Sequence, residues 1–410
     1  MAKQINPLKI GFQIVLFLIL FDACDKKNSV GLNMSQNVKN YQQSLIDNAI
    51  TGSNVAIVFK DGKKIVHSIV NSKKEGDMEI TNETIFPIWS MSKPITIVSI
   101  MILNERGLIN FNDPVSKYIP YFKDLKCEKG DLIYECDNKL TIYHLLTHRS
   151  GYRYDNEKYS WWDYSYDDLD EFVKDVASHP VEFEPGTQYL YGINQAILGR
   201  VAEVVTGKNF YQFLNENIFT PLEMNDTKFF MTNDERKKFQ ILYRKLDGKL
   251  DFTFEFDENE YPEDNKTQLG GEGLVSTMDN YSKFCEMLLN KGVYNGKQII
   301  SEESIKIMTT PVSKGSMGGH PLSPRYHGLD ESERRYYYGF DNAFSFFVLT
   351  NRYLDGTNSP EGIFGWAGYH NTHFWIDYKT NLYGLFMTRT TPFSWDIPKN
   401  FRSAVYNSLN

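Results

Sequence analysis

The sequence predicts an α+β protein: an antiparallel sheet assembled from strands near both ends of the chain, flanked by terminal helices, with a helical lobe inserted. Three observations predict it. Asn54–Lys60 and Lys63–Val70 are apolar and β-branched runs flanking Asp61-Gly62, a dipeptide that tolerates the positive φ angles of a two-residue hairpin. Aromatic and β-branched runs return late, at Ser345–Thr350, Thr372–Asp377 and Leu382–Thr388, the last two joined by a short turn. Between Ser92 and about residue 290, helix-like and loop-like stretches dominate. Strands from both termini around a helical middle fit a layered α+β body, and the cleft between lobes is the natural site.

Taken in order, residues 1–23 read as an address. Lys3 and Lys9 precede a mostly apolar run from Ile10 to Phe21, too short to span a bilayer and suited to a secretory signal. It ends at Phe21-Asp22-Ala23-Cys24, which resembles a bacterial lipoprotein signal with Cys24 as the lipidated mature N-terminus; an ordinary cleaved signal or an uncleaved anchor also fits. Residues 24–39 open with Cys24-Asp25-Lys26-Lys27-Asn28-Ser29 and read as a polar tether, leaving 40–410 as the folded domain. Helical periodicity runs from Asn40 to Ile50, and from Ser92 to about Arg106, where Gly107 ends it. Cys127 and Cys136 flank a short polar excursion suited to a hairpin, and export favours a disulfide between them. A metal site there is the weaker option, since no second pair or nearby histidine completes the ligand set. Cys285 falls on the apolar face of a helical stretch, and Asn400–Leu409 reads as a closing helix.

Composition narrows the function classes. With 41% hydrophobic residues over 410 positions the chain has enough apolar mass for a large core, which excludes whole-chain disorder. The net charge of -8, with no dense Lys or Arg stripe, argues against nucleic acid as a partner.

The chemistry starts at Phe86-Pro87-Ile88-Trp89-Ser90-Met91-Ser92-Lys93. A serine three residues before a lysine at a helix start places both on one face, so Lys93 can reach the Ser90 hydroxyl. A serine alcohol becomes a nucleophile when a neighbouring base takes its proton, and lysine serves only when burial and a positive field make it neutral. Free N–H groups at a helix start supply part of that field. Taken alone, the pattern is weak, because it recurs by chance in many chains, and a helix cap is the favoured reading of it.

Further blocks follow in order: Gly107 to Pro120, Leu140 to Gly151 (including His144, His148 and Ser150), Phe183-Glu184-Pro185-Gly186-Thr187-Gln188-Tyr189-Leu190-Tyr191, Gly270-Gly271-Glu272-Gly273-Leu274-Val275-Ser276-Thr277 and Gly365-Trp366-Ala367-Gly368. Together with Ser90 and Lys93 they closely resemble the serine β-lactamase-related family, which includes class C β-lactamases, penicillin-binding DD-peptidases and β-lactamase-like esterases. The resemblance spans roughly residues 40 to 408 and implies a β-lactamase/transpeptidase-like fold. It implies Ser90 as the acylated nucleophile, Lys93 as its general base partner and Tyr191 as the tyrosine that shares their protons and protonates the leaving group. It implies an oxyanion hole from the backbone N–H groups of Ser90 and Tyr369, and a substrate edge at Trp366, Ala367 and Gly368.

Two departures bear on substrate. The usual Tyr-x-Asn is here Tyr191-Gly192-Ile193, with Asn194 one place late, and the usual Lys-Thr-Gly or His-Thr-Gly is Trp366-Ala367-Gly368. The cation that meets a substrate carboxylate is thus missing, which resembles the esterase branch, with Arg352 and Arg389 as other sources of positive charge. His144 and His148 have i, i+4 spacing without the glutamate of a zinc-protease helix, and belong to a structural block. His370 and His373 follow the third motif, where cleft, surface and strand positions all fit. Lys314 spoils a nucleophile elbow at Gly315-Ser316-Met317-Gly318, while Trp161-Trp162 and Tyr336-Tyr337-Tyr338 suit either a substrate wall or packing.

The expected function is an envelope serine hydrolase, lipid-anchored to a bacterial membrane through Cys24, acting on a small-molecule ester, β-lactam or peptide substrate, with ester favoured. The alternatives are a β-lactamase or D-alanyl-D-alanine carboxypeptidase, and a non-catalytic peptidoglycan-binding member of the fold. The sequence calls for no cofactor and no metal, and points to no protein partner.

Overall fold

A computed structural model describes residues 31–155, 157–159, 166–246, 249–254, 260–312 and 339–409. The expected signal with Cys24, the segment Lys314–Gly318, Trp161-Trp162 and Tyr336-Tyr337-Tyr338 lie outside the described residues.

A seven-stranded antiparallel sheet forms the frame, in the order Phe340–Asn342, Phe347–Leu349, Phe364–Gly368, Thr372–Asp377, Leu382–Thr388, Asn54–Lys60, Lys63–Val70. The hairpin at Asp61-Gly62 therefore pairs with the late strands, Ile57 lying opposite Leu385 and Val58 opposite Gly384. Position in the sheet sets the burial of the longer strands: Asn54–Lys60 and Leu382–Thr388 in the interior are buried nearly throughout, whereas Lys63–Val70 at the edge is half exposed. The strand expected over Ser345–Thr350 is only Phe347–Leu349, with Ser345 instead at a positive φ of 50°.

Helices from both termini share one side of the sheet. The first described helix covers 31–47, so the helix expected from Asn40 begins earlier, and Met34 and Val38 are fully buried. Those two apolar residues, four apart on one face, dock the segment onto the core, which corrects the expectation of a tether reaching to residue 39. The closing helix is Asp396–Tyr406, a few residues before its expected place, and it packs on the first through Tyr41, whose hydroxyl donates to the Ile397 carbonyl at 2.8 Å and whose ring stacks on Phe401.

Ser92–Glu105 is buried from Ser92 to Leu103, because its sequence is apolar all round: it is the central helix between the sheet and the helical lobe. Met278–Leu289 joins it at the sheet, where Tyr281 packs on Phe374 and donates to the Met91 carbonyl at 2.9 Å, and Cys285 is buried in that helix. The lobe contains Ile142–Leu146, Leu169–Ser178, Asn194–Thr206 and Phe210–Leu214. Its outer hairpin, Lys126–Lys129 with Leu132–Glu135, is closed by a disulfide between Cys127 and Cys136. A further hairpin, Leu242–Leu246 with Lys249–Thr253, pairs in parallel with Thr390–Thr391; its alternating residues belong to a stretch expected to be helix and loop.

Candidate active site

Ser90 sits on a single 3-10 turn, Trp89–Met91, between the strand Ile85–Pro87 and the central helix. Trp89 has φ = 46°, in the left-handed region where an indole-bearing residue stays only if its surroundings hold it. They do: Trp89 Nε1 donates to His370 Nδ1 at 2.9 Å, and the indole meets the rings of Tyr369 and His370 edge-on. The strand Phe364–Gly368 ends against the same turn, where a Cβ on Gly368 would lie 2.3 Å from the Ile88 carbonyl oxygen, so only glycine permits the approach. Tyr369, the other residue of the expected oxyanion hole, thereby follows directly on a contact with the serine turn.

Three segments converge on the hydroxyl. Ser90 Oγ accepts from Tyr191 OH at 2.7 Å and from Lys93 Nζ at 3.2 Å. Lys93 is fully buried, and its ammonium uses its other two protons on Tyr154 OH at 2.7 Å and the Gly271 carbonyl at 2.8 Å. Tyr154 OH in turn donates to Glu272 Oε2 at 2.9 Å, and that oxygen lies 3.9 Å from Nζ. Tyr191 is brought in by a loop zipped to the 148–151 segment through Leu190 N–H to the His148 carbonyl and Gly186 N–H to the Arg149 carbonyl, both at 2.7 Å. Beside it, a Cβ on Gly192 would meet the Tyr152 carbonyl oxygen at 2.3 Å, so this glycine lets the Tyr191 and Tyr154 loops touch.

Burial sets the electrostatics. It lowers the Lys93 ammonium to about 8, against the pull of Glu272, which favours the charged form. The Glu272 carboxyl is raised by burial while Lys93 and the Tyr154 hydroxyl pull it down. Burial also pushes the Tyr191 and Tyr154 hydroxyls up, so both are phenols and donors at neutral pH. A lysine that becomes neutral near pH 8 can take a proton from Ser90 Oγ, and a phenol already bonded to that oxygen can pass one to a leaving group.

The third-motif residues form the adjoining wall. Trp366 is 6% exposed, stacked on Phe347 at 5.7 Å and 6.0 Å from the Tyr191 ring, and Ala367 beside it is buried. Neither candidate for the missing cation takes that place. Arg389 is buried over the Phe239 ring with Nη1 donating to the Gln240 carbonyl at 2.8 Å, and Arg352 is exposed at the start of the turn Arg352–Asp355.

Other expected positions turn out to be scaffolding. Asn194 begins the helix Asn194–Thr206 and binds His148 Nδ1 at 2.9 Å and the Ser150 hydroxyl at 2.5 Å, so this amide braces the loop beneath Tyr191. His144 caps its own helix by exchanging bonds with Thr141, and His148 is buried and held neutral by burial and Lys93. His370 is buried against Trp89 rather than exposed, and His373 is buried in its strand, stacked on Phe386. Among the described residues the one cluster of metal-type donors is Cys127, Cys136 and Glu184, and its two thiols are spent in the disulfide. A cavity of about 470 Å³ opens elsewhere, beside His67, Glu83, Asp226 and Asp279, and neither Ser90 nor Lys93 borders it. Its carboxylates are engaged, Glu83 with Lys238 at 2.8 Å, Asp279 with Lys64 at 3.2 Å and Asp226 with Asn280 at 3.1 Å.

Sequence reasoning missed Tyr154 and Glu272. The signal for Glu272 was a lone acid in Gly270-Gly271-Glu272-Gly273, flanked by glycine; Tyr154, one of 26 tyrosines, gave none.

The beta-lactamase family model matches residues 36–405. The chain belongs to the beta-lactamase family. Within that family it is similar to Protein Rv1367c of Mycobacterium tuberculosis, 24% identical over 364 residues that cover 85% of this chain and 88% of that protein. It is also similar to esterase EstB of Burkholderia gladioli, 27% identical over 211 residues, 48% of this chain and 51% of the esterase. Among solved structures the fold superposes on EstCE1, a hydrolase with promiscuous acyltransferase activity, with a TM-score of 0.76 at 20% identity, covering 92% of this chain and 99% of that one. The beta-lactamase fold thus extends over the sheet, both terminal helices and the lobe that together surround Ser90.

Proposed function

We propose that this protein is a serine hydrolase that forms an acyl-enzyme on Ser90 and prefers ester substrates. One observation carries the reading: a half-buried serine hydroxyl lies within hydrogen-bonding distance of both a buried lysine and a tyrosine, at 3.2 and 2.7 Å, on a turn held in a strained conformation. In acylation the Ser90 Oγ proton passes to neutral Lys93 as Oγ bonds to the carbonyl carbon, and the carbonyl π pair moves onto its oxygen, towards the backbone N–H groups of Ser90 and Tyr369. Collapse expels the alcohol, which takes a proton from Tyr191, itself reprotonated through Lys93. Water then repeats the sequence on the acyl-enzyme.

The ester preference rests on Trp366 and its aromatic neighbours Phe347 and Tyr191, which offer an apolar face where carboxylate-recognising relatives carry a cation. The test is acylation with a fluorophosphonate and a fluorescent penicillin in parallel, with the modified peptide mapped. A single fluorophosphonate adduct on Ser90, lost in Ser90→Ala, is expected; labelling that survives the substitution rejects the nucleophile. Penicillin labelling faster than fluorophosphonate labelling would instead promote the β-lactamase or carboxypeptidase reading, and no labelling by either the non-catalytic one.

We further propose that the protein is exported and anchored through a lipidated Cys24. The leader composition supports this, as does a disulfide in an otherwise small hairpin. Metabolic labelling with a palmitate analogue, lost in Cys24→Ala, is the expected result.

A further inference from the structure

The proposed reaction uses Ser90, Lys93 and Tyr191 and leaves Glu272 without a task. Glu272 is 2% exposed, its Oε2 is held by the Tyr154 hydroxyl, and its Oε1 is buried with no hydrogen-bond partner. A carboxylate half-satisfied in the protein interior needs a nearby cation to remain ionised, and the Lys93 ammonium at 3.9 Å supplies it. The groups facing Nζ come from four other segments or turns: Ser90 from the serine turn, His148 and Tyr154 from the loop after Ile142–Leu146, Tyr191 from the loop before Asn194–Thr206, and Glu272 from the glycine-rich loop. The two tyrosines are pushed up and His148 down by burial, so all three are neutral near pH 7, and Glu272 alone among them can carry a balancing charge.

We propose that Glu272 is the resting counter-ion of Lys93: it keeps the lysine charged, with Tyr154 as the hydrogen-bonded bridge, and so sets the pH above which Ser90 can be acylated. The inference rests on the Ser90 reading above. Burial alone would strip the lysine of its proton and leave a weak base; a nearby carboxylate preserves basicity at the expense of the neutral fraction. The bridging tyrosine keeps the two charges from closing into a direct pair, so Nζ still points at Ser90 Oγ.

The test is the rate of fluorophosphonate labelling between about pH 5 and 9 in wild type, Glu272→Gln and Glu272→Asp. Wild-type labelling should rise with pH through about 8 as Lys93 loses its proton. Glu272→Gln removes the anion that favours the ammonium, so its acid limb should move down by about one unit or more. Near pH 6 it should then retain roughly ten times more of its own plateau rate than wild type does. Glu272→Asp keeps the charge and should restore the limb to within about half a unit. A folded Glu272→Gln whose limb is unmoved or moves up overturns the proposal. Should Glu272→Gln fail to fold, NMR of wild type carrying ¹⁵Nζ-lysine reads the same quantity: a buried, slowly exchanging ammonium at pH 7 is expected, and a neutral Lys93 amine there overturns the proposal. Absence of Ser90 labelling at every pH would sink the hydrolase reading, while the NMR titration would still decide the role of Glu272.

Discussion

Two ion pairs among the described residues have both partners buried, and they are built differently. Arg402 on the closing helix donates from Nη2 directly to Asp355 Oδ1 at 2.7 Å, with both side chains at most 2% exposed, and Asp355 also accepts from the Thr357 hydroxyl. Lys93 and Glu272, equally buried, stand 3.9 Å apart with the Tyr154 hydroxyl between them. The direct pair ties the closing helix to the turn Arg352–Asp355, and its charge-assisted bond leaves no freedom to either partner. The bridged pair spends Nζ on a nucleophile, a tyrosine and a backbone carbonyl instead. Burial of charge is therefore no guide to its use; what matters is whether the cation's hydrogen bonds are closed on its own carboxylate or left open towards a reactive atom.

Removing each cation should separate the two roles. The largest effect on turnover belongs to the open pair: Lys93→Ala and Tyr191→Phe should each lower ester turnover per folded molecule by about two to four orders of magnitude, the usual span for positioned acid–base groups. Steady-state kinetics on a p-nitrophenyl ester reads this, and near-normal turnover in Tyr191→Phe would remove that tyrosine from the proton path. Arg402→Ala should do the reverse, destabilising the fold by about 3 to 5 kcal/mol because Asp355 is left as an uncompensated buried charge. Urea denaturation measures the loss, and turnover per folded molecule should stay close to wild type. A stability change below about 1 kcal/mol would mean that solvent reaches Asp355 and the two pairs are not comparable.

The open pair was half legible in the sequence. The spacing of Ser90 and Lys93 is a local pattern that acquired its meaning from the further blocks resembling the family, whereas the hairpin at Asp61-Gly62 and the strands Thr372–Asp377 and Leu382–Thr388 were readable from local pattern alone. Glu272 and Tyr154 reach Lys93 from 179 and 61 positions away in sequence, through loops whose course no periodicity records. Arg389 shows the opposite failure: as a charged residue elsewhere in the chain it suggested a replacement cation, yet its place between the strands Leu382–Thr388 and Thr390–Thr391 sets it over the Phe239 ring and onto a backbone carbonyl. The first helix was misjudged at its start because polar residues around Met34 and Val38 hide a two-residue apolar stripe, which has meaning only once the sheet face it covers exists.

The smallest effect concerns the wall facing this pair, where Trp366 occupies the place that carries a cation in carboxylate-recognising relatives. Its indole packs on Phe347 and the Tyr191 ring and hydrogen-bonds with the Tyr191 side chain, so the wall is aromatic and uncharged where it adjoins the proton path. A charge-assisted hydrogen bond to a substrate carboxylate is worth about 1.5 to 3 kcal/mol, or one to two decades in rate. Wild type lacks that bond, so short acyl esters should turn over faster than nitrocefin or D-Ala-D-Ala peptides. Trp366→Lys should shift the kcat/KM ratio of nitrocefin to p-nitrophenyl ester upward by about those one to two decades. The new ammonium would also stand near Lys93, and like charges disfavour protonation, so the acid limb should move to lower pH in this variant as it does in Glu272→Gln. A wild-type preference for nitrocefin by about tenfold or more would reject the ester reading, since 1.4 kcal/mol of carboxylate recognition must then come from a group other than Trp366.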